Sequence, residues 1–296
     1  QLNQQTEQLS PLSSRPAYTE TENELTVKAN KRTFIFSKKD GQLKGVSVDN
    51  RKISFANGPR FIGARRADRS LDQFYNHDDE KAKEKDRTYS EFPDAAVFTK
   101  LDVKQDGGDL IVTANYKLGN LDKTQWTINP SGELALDYTY NFSGVVDLMG
   151  IRFDYPEDQV ISKRWLGAGP YRVWQNRIHG TQYDVWENDY NDPIPGETFT
   201  YPEFKGYFGD VSWMNIQTKE GTISLTNETP DAYIGVYQPR DGRDRLLYTL
   251  PESGISVLNV IPPVRNKVNS TDLCGPSSQP KWVNGPQTGR VIFRFM

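Results

Sequence analysis

Apolar and polar residues alternate with a period of two over several stretches of the chain. Leu110-Ile111-Val112-Thr113-Ala114-Asn115-Tyr116, Gln125-Trp126-Thr127-Ile128 and Leu134-Ala135-Leu136-Asp137-Tyr138-Thr139-Tyr140-Asn141-Phe142 are the clearest of them. That period places successive side chains on opposite faces of a strand. Gln105-Asp106-Gly107-Gly108 and Asn129-Pro130-Ser131-Gly132 separate these runs with turn residues. Shorter runs at Val97-Phe98 and Leu101-Asp102-Val103 precede them, and earlier still stand Leu25-Thr26-Val27, Thr33-Phe34-Ile35-Phe36 and Gly45-Val46-Ser47-Val48-Asp49. Further β-type runs follow at Tyr201–Tyr207, Val211–Ile216, Thr222–Thr226, Tyr233–Tyr237, Ser256–Ile261 and Gly289–Phe295. Because no helical period comes between them, the expected fold is all-β: antiparallel sheets packed as one large sandwich, not a parallel α/β fold.

Three stretches break the pattern. Gln1–Glu24 is rich in Gln, Ser, Thr, Glu and Pro and reads as a polar linker, which places the folded domain at residues 25–296. Arg65–Arg87 is highly charged, and Asp78–Arg87 within it has helix formers without an apolar stripe, as in a solvated helix or loop. Pro262–Pro286 reads as a long loop, of the kind often found at a functional edge.

Composition narrows the partners. The 296 residues carry a formal charge of −3, so no field gathers nucleic acid or an anionic membrane, and neither is an expected partner. No apolar run approaches the ~20 residues of a membrane span. Cys274 is the single cysteine and reads as a small buried residue, and with only His77 and His179 there is little material for a metal site. No cofactor and no metal are expected. The chain opens on Gln1, which reads as a piece of something longer or a mature product. The compartment is unreadable, and would be periplasmic or extracellular if a parent protein is exported.

The richest stretch chemically is Trp165–Trp186, which holds three tryptophans, two tyrosines, two arginines and His179 beside Gly167-Ala168-Gly169-Pro170. Sugars present apolar C–H faces to aromatic rings and hydroxyls to planar, multidentate polar groups. The candidate substrate-binding residues are therefore Arg172, Trp174, Asn176, Arg177, His179 and Trp186, with an oligosaccharide or glycoside as ligand. If the segment stays extended, Arg172, Trp174 and Asn176 share one face. The alternative is that the tryptophans are core residues beside a tight turn. Asp192, Glu197, Glu203, Asp210 and Asp241 are acidic candidates for a glycosidase pair, but no pair is identifiable and no catalytic residue is assigned.

Gly167-Ala168-Gly169-Pro170, Trp174-Gln175-Asn176-Arg177 and Tyr183 resemble the Gly-x-Gly-Pro-x-Glu-x-Tyr-x-Asp-Arg signature of the β-galactosidase small-chain domain. This is the C-terminal domain of many glycoside hydrolase family 2 enzymes. Arg172 and Asn176 stand where that signature has Glu and Asp. Phe34–Leu43, Asn57-Gly58-Pro59-Arg60 and Tyr201–Tyr207 are similar to its flanking segments. The resemblance implies a galactose mutarotase-like β-supersandwich, facing the sugar in an enzyme whose catalytic glutamates lie in a separate (β/α)₈ barrel of the same polypeptide. Two other readings stay open: a self-sufficient mutarotase, epimerase or lyase, in which His179 is either the acid or an exposed loop residue, and a free-standing carbohydrate-binding module.

Overall fold

A computed structural model of the protein describes residues 14–66, 89–189, 206–236, 251, 253–263 and 275–296. The N-terminal strands β1 (Ala17–Glu20), β2 (Glu24–Ala29), β3 (Arg32–Ser37) and β4 (Leu43–Val48) form successive hairpins, followed by β5 (Arg51–Ile53), β6 (Ala56–Arg66) and β7 (Tyr89–Glu91). A meander of four long strands comes next: β8 (Val97–Asp106), β9 (Asp109–Lys117), β10 (Leu121–Ile128) and β11 (Leu134–Val146). The chain then adds β12 (Leu148–Asp154), β13 (Val160–Gly169), β14 (Gln182–Asp189), β15 (Trp213–Thr218) and β16 (Gly221–Asn227). It finishes with β17 (Tyr233–Val236), β18 (Ile255–Val260) and β19 (Lys281–Phe295).

Two antiparallel sheets result. A ten-stranded sheet runs β1-β2-β3-β4-β6-β12-β18-β17, with β5 on β4 and β7 on β6, and a nine-stranded sheet runs β14-β13-β15-β16-β19-β11-β10-β9-β8. The alternating residues of both sheets turn one face inward and interleave there. Phe55 stacks on Phe153 at 4.7 Å and meets Phe293 at 5.0 Å, while Phe36 and Phe153 each reach Trp126 at 6.0 Å. All of these rings are fully buried. The expected all-β, antiparallel supersandwich is the observed fold.

The boundaries differ from expectation in three places. Structure begins earlier than Leu25, because Ala17–Glu20 pairs with Leu25–Lys28 as β1. Its four residues are all exposed, so no buried face marked the strand, which is held by backbone pairing with β2 and by the Lys38–Glu20 ion pair at 2.9 Å. The terminal strand begins at Lys281, inside the expected loop 262–286, and stays paired with β11 as far as Val146. The short β5 and β7 and the longer β12, β13 and β14 lie where no strand was expected. The readings at Asp78–Arg87, Tyr201–Lys205, His77, Cys274, Asp192, Glu197, Glu203 and Asp241 lie outside the described residues.

Deleting the chain through Glu22 should lower stability by about 1–2 kcal/mol, because β1 buries no side chain and the loss is confined to the buried Pro16, its carbonyl's hydrogen bond from Gln105 and the Glu20–Lys38 pair. Calorimetry checks this. A loss above about 3 kcal/mol would mean that β1 seals the edge of the ten-stranded sheet.

Candidate functional site

The Trp165–Trp186 stretch forms a hairpin at the edge of the nine-stranded sheet. β13 and β14 pair from Ser162↔Asp189 to Gly169↔Gln182, and residues 170–181 connect them. Trp165 is fully buried, packs edge-on against Phe208 at 4.9 Å and donates its indole N–H to the Ala168 carbonyl at 3.0 Å. Gly169 must be glycine because Trp186 lies across it: a Cβ there would sit 2.4 Å from the indole ring. Trp186 is half-buried and donates its indole N–H to the Gln182 carbonyl at 3.1 Å.

Beyond Pro170 the chain leaves the sheet. Val173 and Tyr207 exchange backbone hydrogen bonds of 2.7 and 2.8 Å, and Trp174 and Arg177 close a turn with Gln175 and Asn176 at its corner. The extended alternation expected here therefore stops at Trp174, and Arg172, Trp174 and Asn176 do not form one open face. Trp174 is 5% exposed and meets Tyr207 edge-on at 5.5 Å. Together with Val173, Tyr207 and Ile261 it covers Ile62, Ala64, Leu148 and Leu258, which point out of the ten-stranded sheet away from the main core. Thus the motif closes a second, smaller core on the outer face of that sheet. Arg172 is 7% exposed, with its guanidinium 5.0 Å from the centre of the Phe208 ring. The fully buried Lys163 approaches the same ring, its Nζ at 5.9 Å, so two cations share one aromatic ring.

The turn corner is fastened to the described ends of the long proline-rich segment. Gln175 donates its backbone N–H to the Pro262 carbonyl at 3.1 Å and its side-chain amide to the Gln279 carbonyl at 2.8 Å. The Asn176 amide donates to Ser278 Oγ at 3.1 Å. Arg177, which closes that turn, and His179, just beyond it, are exposed. Tyr171 (49%) and Tyr183 (59%) are exposed at the base of the same hairpin, with the Tyr183 hydroxyl 2.6 Å from Ser212 Oγ. Of the six candidates, Arg172 and Trp174 are thus interior, Asn176 and Trp186 intermediate, and Arg177 and His179 on the surface.

A second polar group lies beside the small core and was not singled out in the sequence. On β6 and β12, Arg60 and Arg152 face each other directly across the ladder, next to the Ile62↔Gly150 pair. Like charges so placed repel unless carboxylates compensate. Arg60 is ion-paired to Asp154, which also accepts from Asn57 Nδ2 at 2.8 Å. Burial, and then the charge of Arg60, lowers the Arg152 pKa below the usual guanidinium value. Desolvation raises the Asp94 pKa, opposed by the Ala96 and Phe61 amides and by the two arginines. The signal in the sequence was the period-two run Arg152-Phe153-Asp154 and the Asn57-Gly58-Pro59-Arg60 turn. Among the described residues, no three His, Cys, Asp or Glu side chains are grouped to hold a metal. No helix among them is long and apolar enough to cross a membrane.

Comparison with known families places this architecture. The family model described as the β-galactosidase small chain matches residues 28–264. This chain belongs to the β-galactosidase small-chain family. The match takes in the whole hairpin, the small core up to Ile261 and the Arg60–Asp154 pair. No curated protein matches the sequence. Among solved structures, galactose 1-epimerase from Lactobacillus acidophilus NCFM superposes with a TM-score of 0.53 at 10% identity, covering 96% of this chain and 99% of that one. A putative aldose 1-epimerase from Escherichia coli K12 has a TM-score of 0.41 at 10% identity, with 95% and 99% covered. At such identity the first likeness shows the fold, and the family's β-supersandwich is of the galactose mutarotase type.

Proposed function

We propose that this chain is a sugar-facing accessory domain of a β-galactosidase-type glycoside hydrolase, working beside a catalytic barrel domain of the same parent polypeptide. The observation that carries this reading is the filled part of the outer face of the ten-stranded sheet, where the hairpin motif lies over it. Ile62, Ala64, Leu148 and Leu258 lie under Val173, Trp174 and Tyr207, and this packed apolar contact leaves no room at that place for a reacting sugar flanked by an acid and a base. The polar and aromatic groups left accessible, Tyr171, Arg177, His179 and Tyr183, rise from one hairpin and suit a glycoside presented at its rim.

Tyr171→Ala and Tyr183→Ala should each weaken lactose binding by about 3- to 10-fold while leaving the melting temperature nearly unchanged, since each removes an exposed ring. Titration calorimetry and differential scanning calorimetry on the same preparations check the two halves. Unchanged binding in both variants would remove the hairpin from the sugar surface.

The alternative of an aldose epimerase draws on the likeness to a protein named galactose 1-epimerase. Such chemistry needs a base and an acid flanking the anomeric carbon. Polarimetry of freshly dissolved α-galactose separates the readings. An accessory domain leaves the spontaneous rate unchanged, whereas acceleration that disappears in His179→Ala would establish the epimerase. Hydrolysis of a nitrophenyl β-galactoside by this chain, abolished by one Asp or Glu substitution, would overturn the accessory reading from the other side.

A further inference from the structure

The outer face of the nine-stranded sheet carries an ordered pattern that starts at Leu166 in the hairpin and runs well beyond it. Direct cross-strand partners Leu166, Trp213, Thr226, Ile292 and Ala135 form one row across β13, β15, β16, β19 and β11. The inward neighbours Trp165, Met214, Leu225 and Val291 are in the main core, so this row points outward. Two residues along the strands, the next outward row is polar: Gln125 opposite Asp137, and Asp137 opposite Arg290. Arg290 donates through Nη1 to Asp137 at 2.5 Å and through Nε to Glu228 at 3.0 Å. These groups, with Lys123, Thr139, Thr288 and Pro230, line a depression of about 410 Å³.

We propose that this depression is a binding subsite for a neutral saccharide, distinct from the hairpin. Its volume falls within the roughly 300–1,000 Å³ typical of small-molecule sites. Lys123 and Arg290 balance Asp137 and Glu228, so the lining has no net formal charge and no preference for phosphate or nucleic acid. A sugar hydroxyl donates and accepts at once, and the lining alternates donors (Lys123, Arg290, Gln125) with acceptors (Asp137, Glu228). The guanidinium is held by two carboxylates, so little side-chain freedom is lost when a ligand arrives. Pro230 inside the depression supplies an apolar surface for a pyranose C–H face. Four strand spacings of ~4.8 Å separate β19 from the hairpin edge at β14, so one monosaccharide does not bridge the two surfaces.

The test is amide NMR of the isotope-labelled full chain titrated with lactose, with inorganic phosphate as the charged control. Saturable shifts are expected at Gln125, Thr139 and Thr288–Arg290 with lactose and not with phosphate. The double variant Gln125→Ala/Thr139→Ala, whose side chains lie on the open face, should weaken that response about 10-fold. Shifts confined to Tyr171–Tyr183 would overturn this subsite and leave the accessory function standing. Equal shifts with phosphate, or shifts that follow protein concentration without sugar, would overturn it in favour of an anion site or a contact between copies.

Discussion

Trp174→Ala is expected to lower the stability of the chain by about 3–5 kcal/mol, the cost of truncating a large buried aromatic side chain. The indole is 5% exposed, meets Tyr207 edge-on, and is the largest ring sealing Ile62, Ala64, Leu148 and Leu258. Its neighbours cannot collapse into the vacated space, because Val173 is tied to Tyr207 by two backbone hydrogen bonds and the next residue, Gln175, to Pro262 and Gln279. At ~2 °C per kcal/mol for a chain of this size, the melting temperature should drop by roughly 6–10 °C. Trp174→Phe should recover part of that loss. Calorimetry of both variants decides the case. A loss under 1 kcal/mol for the alanine variant would mean that Trp174 is an exposed stacking platform.

Gly150→Val should be more damaging still, with a loss above about 4 kcal/mol and little soluble protein. Gly150 lies opposite Leu258 in the β12–β18 ladder, between the small core and the main one. A Cβ added there would sit 2.2 Å from the Val257 carbonyl oxygen and 2.7 Å from the Leu258 Cα. Both are backbone atoms of the paired strand, so relief requires opening the ladder between β12 and β18, one strand in from the β17 edge of the ten-stranded sheet, instead of rotating a side chain. Urea denaturation compared with the unchanged chain measures this, and a loss below 2 kcal/mol would show that β12 and β18 separate easily.

Strands were legible where one face meets the core and the other meets water. β9 is such a case, with Leu110, Val112, Ala114 and Tyr116 buried and their neighbours more open. β12 was not legible, because the main core covers one face of its first half and the motif the other, so its first four residues are all buried and alternation is left only at Arg152-Phe153-Asp154. β1 failed for the opposite reason, having no buried residue at all. β19 was shortened in the reading by Asn284, Gly285 and Pro286. Those residues pair only with β11, while β16 engages β19 from Val291 onward, so the missing N–H of Pro286 is tolerated on a strand with one open side.

The candidate site divides in the same way. Residue chemistry and the likeness of the Gly-x-Gly-Pro stretch to the small-chain signature identified the segment and the family, because both are properties of neighbouring residues along the chain. Which of its side chains face outward was decided elsewhere. Trp174 is buried because Ile62, Leu148, Tyr207 and Leu258, far apart in sequence, converge beneath it, and Arg172 is interior because Phe208 offers its ring. Arg60 meets Asp154, and Asp137 meets Arg290, only through strand register. Periodicity along a chain reports that a residue has a buried side, but what lies against that side depends on pairings between distant strands, which the local pattern does not encode.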